Sequence, residues 1–165
     1  MARFKSISFP NTEGELSTLL DKLQRNLLNK ILAKGTLAIH GASSPLVKTT
    51  TTAYLLVDGV MVKLAAADLT ALVGTVVNGT FNVFVFTVNA SGTVKVYMGT
   101  AGATLAGVVF PTTLDGESVL GFVLVNPTGT GNFVGGTTNL DDATVVPNAV
   151  YFDSDLALAA QFITL

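Results

Sequence analysis

From Leu69 to Val94 the chain carries no charged residue, and within that run lies the stretch FNVFVFTV, residues 81–88. The run cannot be a membrane-spanning helix. Gly74, Asn78, Gly79, Asn82 and Asn89 break it well short of the ~20 apolar residues that a span needs. What remains is strands and turns, because Phe and Val suit a pleated, packed surface and Asn and Gly suit tight bends.

The same rhythm continues to the end of the chain. Turn signals fall at Asp58-Gly59, Asn78-Gly79, Asn89 to Gly92, Asp115-Gly116, Asn126-Pro127, Thr128 to Gly131 and Gly135-Gly136. Between them, β-branched and aromatic runs predict strands at 53–57, 60–64, 81–88, 93–98, 105–110, 118–125 and 144–152. Composition agrees: charged residues are 12% of the chain, against about 25% in an ordinary soluble domain. In their place stand 22 Thr and 16 Gly. The expected fold is mainly β, an antiparallel β-sandwich or jelly-roll-like domain over residues 53–165. The segment AAADLTALVG, residues 65–74, is expected to form a short helical turn between strands.

One segment reads differently. Over residues 13–34, Leu16, Leu19, Leu20, Leu23, Leu27 and Ile31 recur at helical spacing, with Asp21, Lys22, Arg25 and Asn29 opposite and Gly35 as a stop. Leu16, Leu20, Leu23 and Leu27 also follow the 4-3-4 spacing of a coiled-coil seam for about two heptads. Residues 1–40 are therefore expected to be an N-terminal amphipathic α-helical anchor or oligomerisation segment. GASSPLVKTTTT, residues 41–52, reads as a linker or edge strand. Charge is divided in the same way. Residues 1–50 hold seven basic and three acidic side chains, and residues 51–165 hold two basic and eight acidic, so a net −2 conceals a basic front and an acidic β region.

The hairpin around Asn89 can be taken to the level of faces. A two- or four-residue loop at NASG sets Phe84 against Tyr97, Phe86 against Lys95 and Val88 against Thr93. The face with Phe81, Val83, Val85, Val94, Val96 and Met98 is then the core. Phe84, Phe86, Val88 and Tyr97 form a second face suited to a subunit interface. A three-residue loop would swap these faces.

Chemistry-bearing patterns are sparse. His40 is the lone histidine and there is no cysteine, which excludes multi-histidine metal sites, Cys-His sites and disulfides within one chain, and a lone histidine after a helix is expected to be a surface or packing residue rather than part of a Ser-His-Asp site. GTGNFVGG, residues 129–136, lacks the GxGxxG spacing of a dinucleotide loop. Asp141-Asp142 and the Asp153/Asp155 pair read as turn-capping carboxylates, without the ligand order of a calcium loop. The sequons at Asn78 and Asn89 are ordinary in a chain so rich in Asn and Thr. No cofactor and no catalytic or metal site is expected. The acidic β region gives no ground for nucleic-acid binding. MARFKSISFP lacks the apolar core of a secretion signal, so neither a membrane nor an outer-membrane barrel is expected.

Three stretches carry a resemblance: KLAAADLTAL (63–72), VVFPTTLDGESVLGFVLV (108–125) and FVGGTTNLDDATVVPNAVYFD (133–153). Together they resemble small β-rich structural proteins of tailed bacteriophages, of the capsid-decoration or head-fibre kind, over roughly residues 50–153. The resemblance implies a non-enzymatic virion component, a homotrimer whose β domains project from the capsid or tail. It implies attachment through the N-terminal segment to the major capsid protein or another virion protein. The seam Leu16, Leu20, Leu23, Leu27 and Ile31 would serve as anchor. The alternative is a tail-fibre or receptor-binding module that recognises a host surface.

Overall fold

The computed structural model describes Ser17, Leu20 and residues 28–155 apart from 114, 115 and 148. Among these residues the chain forms β1 (Lys30–Ala33), β2 (Leu37–Ile39), β3 (Val47–Thr49), β4 (Ala53–Val57), β5 (Val60–Leu64), β6 (Thr75–Val76), β7 (Asn82–Asn89), β8 (Val94–Met98), β9 (Glu117–Val125), β10 (Phe133–Val134) and β11 (Val150–Asp153). All strand pairings are antiparallel. They build a four-stranded sheet in the order β11-β9-β7-β8, a three-stranded sheet β1-β4-β5, and the two-stranded pairs β2-β3 and β6-β10. The fold is mainly β, as the alternation and turn rhythm predict.

Side chains from the two larger sheets share one core. Ile31, Leu55, Val57 and Val62 from the three-stranded sheet cluster with Phe84, Phe86, Val88, Leu120 and Val123 from the four-stranded sheet, joined by Phe133 from β10. Phe84 meets Phe133 edge to face at 5.8 Å. That geometry adds to plain burial, because the positive ring edge points at the negative face of its neighbour.

Turn chemistry explains the registers. Asp58 and Gly59, both at positive φ (50° and 77°), close a two-residue loop that sets Val57 opposite Val60. This is the Asp-Gly hairpin signal expected for strands of right-handed twist. At the β7–β8 connection the loop is Ala90-Ser91-Gly92. The Asn89 N–H donates to the Thr93 carbonyl at 3.1 Å, and the Gly92 N–H donates to the Asn89 carbonyl at 2.9 Å. Gly92 takes the left-handed conformation, φ +80°, and the Asn89 Oδ1 accepts from the Ser91 and Thr93 amides.

That three-residue loop corrects the expected faces. Phe84 pairs with Met98, Val85 with Tyr97, Phe86 with Val96 and Val88 with Val94. Phe84, Phe86 and Val88 therefore lie fully buried in their own domain's core and are not an exposed interface. Tyr97 stands on the opposite side of the sheet, with Val85. Because side chains alternate across a strand, a change of one residue in loop length moved every residue of the hairpin's second strand to the other partner row.

Two boundaries are also corrected. The expected helix 13–34 gives way to β1 at Lys30, and Ile31, the last member of the leucine seam, is buried in the β core opposite Leu55. The start of β1 is held by the β4–β5 turn. The Gly59 N–H donates to the Leu28 carbonyl at 3.1 Å, and the Asp58 N–H to the Asn29 Oδ1 at 2.7 Å. Residues 41–52, expected as a linker or edge strand, contain β3, paired with β2, so paired strands begin at Lys30 rather than 53. Their threonines bond to backbone: Thr49 Oγ1 accepts from the Ala67 N–H at 3.1 Å, Thr50 Oγ1 donates to the Thr36 carbonyl at 3.2 Å, and Thr51 Oγ1 accepts from the Thr36 N–H at 3.0 Å. Residues 65–74 are irregular, residues 105–107 form a 3-10 turn instead of a strand, and the strand expected at 144–152 starts only at Val150. Leu16, Leu23 and Leu27 lie outside the described residues.

Candidate functional site

The inner faces of the two larger sheets are occupied by core, so their outer faces are the surfaces that can do something else. On the four-stranded sheet the strand register places Val83, Val85 and Thr87 of β7 beside Tyr97 and Lys95 of β8. On the other side of β7 stand Leu124, Phe122, Val119 and Glu117 of β9, and beyond β9 stand Val150 and Phe152 of β11. A bulge between Phe86 and Thr87, opposite Leu120, keeps both halves of β9 on this face.

One end of the face is polar. The Glu117 side chain, only 3% exposed, accepts from Lys95 Nζ at 2.7 Å and Tyr97 Oη at 3.1 Å through Oε1, and from Thr87 Oγ1 at 2.8 Å through Oε2. Burial pushes the Glu117 carboxyl up, but the hydrogen bonds from Lys95, Thr87 and Tyr97 outweigh it and hold the group below its ordinary value. The hydrogen bond to Glu117 raises Lys95, while burial first and then the same carboxylate raise Tyr97. Both carboxylate oxygens are engaged, which makes Glu117 an ionised tie across β7, β8 and β9 rather than a poised acid.

The other end is aromatic. Phe122 stacks on Phe152 at 4.6 Å with 16° between the rings, and Phe110 meets Phe122 edge-on at 5.1 Å. Val83, Val85 and Phe122 are buried with Val108, Val119 and Leu124 packed on them.

The outer face of the three-stranded sheet has a different character. Register puts Lys30, Leu56 and Met61 in one row and Tyr54 and Lys63 in the next. Met61 is 68% exposed, Tyr54 is exposed and Leu56 half-buried. The strands KILA, AYLLV and VMVKL contain Lys30 and Lys63 and no acidic residue. This apolar face with basic edges lies where the leucine-rich N-terminal segment joins the β fold, at Leu28. Leu20, the described member of that seam in the segment, is 54% exposed.

The remaining candidates serve the fold. His40 Nδ1 contacts Asp68 on the surface. Asp141 accepts from the Ser43 amide at 2.7 Å, and Asp142 caps Thr144 through its amide at 2.9 Å and hydroxyl at 2.6 Å. Asp153 accepts from the Leu37 amide at 2.7 Å and pairs with Lys34 at 3.3 Å, linking β11 to β2. In GTGNFVGG, Phe133 is core, and a Cβ on Gly129 would stand 2.0 Å from the Thr144 carbonyl oxygen, so close approach of the loop backbone explains that glycine. Among the described residues no three of His, Cys, Asp and Glu stand together to hold a metal, and no helix is long and apolar enough to cross a membrane.

Sequence reasoning singled out Phe84, Phe86, Val88 and Tyr97 and missed Glu117, Tyr54 and Met61. The sequence hint for Glu117 was an acid opening an apolar strand in a chain whose preceding hairpin carries Lys95 and Tyr97; that the three meet is set by strand pairing. Comparison with protein-family models, with curated proteins and with solved structures found no match.

Proposed function

We propose that this chain is a non-enzymatic structural subunit of a tailed-phage virion, a capsid-decoration or head-fibre component that attaches to the shell and assembles as a homotrimer. The two larger sheets would form a sandwich that projects from the particle. The observation that carries the reading is the outer face of β1-β4-β5, where Tyr54, Leu56 and Met61 are flanked by Lys30 and Lys63 at the point where the leucine-rich segment enters. An apolar patch with basic edges and no acid suits docking on an apolar surface with acidic edges, such as a capsid subunit could present. Many equivalent sites on a shell would make individually weak contacts effective. The alternative of a module recognising a host surface through the loops at Gly59, Gly116, 128–136 and 139–142 would rely on an aromatic platform for sugars, but Phe133, the one aromatic residue of these loops, is buried.

The test is co-purification. Washed particles should retain the chain in a fixed ratio to the major capsid protein, and a Met61→Asp, Tyr54→Asp variant should fold, by circular dichroism, yet be lost from them. Particles that lack the wild-type chain would refute the reading.

A further inference from the structure

Asn78-Gly79 is the one Asn-Gly pair of the chain. Such a pair is chemically labile, because glycine has no side chain to shield its amide nitrogen. Once hydroxide has removed its proton, the Gly79 nitrogen can attack Asn78 Cγ. A bond forms between that nitrogen and Cγ, the bond from Cγ to Nδ2 breaks, and Nδ2 takes a proton from water and leaves as ammonia. The product is a five-membered succinimide ring, which water opens to aspartate or isoaspartate. Both residues are exposed, so burial does not keep water or hydroxide from them.

Hydrogen bonds engage the groups that this reaction must use. The Gly79 N–H, source of the nucleophile, donates to the Pro127 carbonyl at 2.7 Å. Asn78 Nδ2, the leaving group, donates to the Gly129 carbonyl at 2.7 Å and to the Gly131 carbonyl at 3.1 Å. The Asn78 N–H donates to Asn132 Oδ1 at 3.0 Å. Every one of these acceptors lies in residues 127–132, the connection between β9 and β10. That connection is itself pinned, since the Thr130 N–H donates to the Thr144 carbonyl at 2.6 Å and the Gly129 N–H to the Val145 carbonyl at 3.3 Å. Ring closure removes the Gly79 proton and expels Nδ2, so it cannot proceed while the bonds to Pro127, Gly129 and Gly131 are in place.

We infer that Asn78-Gly79 is a latent succinimide site, held inert by the loop 127–132 and open to reaction only when that loop releases it. The modification runs one way. An ionised aspartate at position 78 is an acceptor alone, so it has no N–H for Gly129 and Gly131 and sets negative charge against their carbonyl oxygens. Isoaspartate adds a methylene to the backbone of the turn. Neither product restores the clasp, and a transient opening of the loop becomes a permanent one. The inference is independent of the docking role given to the three-stranded sheet.

Peptide mapping by mass spectrometry, which separates aspartate and isoaspartate from asparagine, reads the site during incubation in mildly alkaline buffer. The folded wild type should convert at least roughly tenfold more slowly than the same chain held unfolded in urea, because reaction waits on local opening. Asn132→Ala removes the acceptor of the Asn78 N–H. Gly129→Ala would set a Cβ 2.0 Å from the Thr144 carbonyl oxygen and push the loop away. Each variant should convert several-fold faster than the wild type while circular dichroism still shows the β fold, and Asn132→Ala decides if Gly129→Ala does not fold. Asn78→Asp, made directly, should speed hydrogen exchange of the Gly79 amide several-fold. A folded wild type that converts as fast as the unfolded chain would overturn the inference, and so would Asn132→Ala converting at the wild-type rate. Unchanged Gly79 exchange in Asn78→Asp would overturn the one-way character. Failure of capsid binding would leave these readouts untouched.

Discussion

Replacing Phe84 by Ala is the sharpest probe of the hairpin register. Phe84 is fully buried in the main core and meets Phe133 edge to face. Truncating such a ring costs about 3–5 kcal/mol through lost burial and the cavity left behind. Set against a total stability on the order of 5–15 kcal/mol, that is a large fraction. At about 2–4 °C per kcal/mol for a chain of this size, the melting temperature should fall by roughly 10 °C. A double-mutant cycle with Phe133→Ala should return a coupling of about 0.5–1.5 kcal/mol for the ring pair. Urea unfolding followed by fluorescence or circular dichroism gives both numbers, and light scattering on the same samples gives the mass. An unchanged melting temperature combined with a drop in oligomer mass would refute the reasoning. It would mean that Phe84 faces a neighbouring subunit and that the β7–β8 register is one residue away from the one described.

Glu117→Gln keeps the shape of the side chain but removes the charge that Lys95, Tyr97 and Thr87 engage, and should cost about 1–3 kcal/mol at neutral pH. Because the folded-state Glu117 titrates below its ordinary value, its contribution is present above the unfolded value and lost as pH falls through the folded one. Urea midpoints at pH 7 and pH 3 should therefore differ less in the variant than in the wild type, and an equal acid dependence would contradict the tie. Tyr151 is half-buried, and burial first and Asp141 second push its phenol up to about 12. An unfolded tyrosine ionises near ~10. The stability it contributes is thus complete below about pH 10 and is lost as pH rises towards 12, so alkaline unfolding of Tyr151→Phe should depend less on pH in that window than the wild type, the remaining dependence coming from Lys95 and Tyr97. Gly121→Ala would place a Cβ 2.5 Å from the Phe152 carbonyl oxygen and 2.6 Å from Leu37 Cδ1. It should detach β11, seen as selective loss of amide protection at 150–153 before global unfolding.

The sequence by itself determined the β class, because charge-free runs of Phe, Val and Thr broken by Asp-Gly and Asn-Gly leave little else to build. It also placed β4 and β5 without error, since a two-residue Asp-Gly loop between short apolar runs admits one register. The Asp141 and Asp142 carboxylates were legible too, as turn caps, from their position among turn residues; Asp153 instead ends β11, where it ties that strand to β2 and to Lys34.

Only the tertiary structure decided the rest. Asn89 to Gly92 is compatible with loops of more than one length, and an alternating strand with apolar residues on both faces offers no pattern to choose between them. The left-handed Gly92 and the Asn89 side chain selected three residues, which sent Phe84, Phe86 and Val88 inward and left Val83, Val85 and Phe122 to form the second face. Lys30 to Ala33 continued a helical stripe in the sequence, but a short apolar run fits a strand equally well, and β4 supplied the partner that made it one. Glu117 shows the same limit from the other side: its ionised, buried state rests on Thr87, Lys95 and Tyr97, residues 20 to 30 positions away along the chain, which only strand pairing brings within hydrogen-bonding distance.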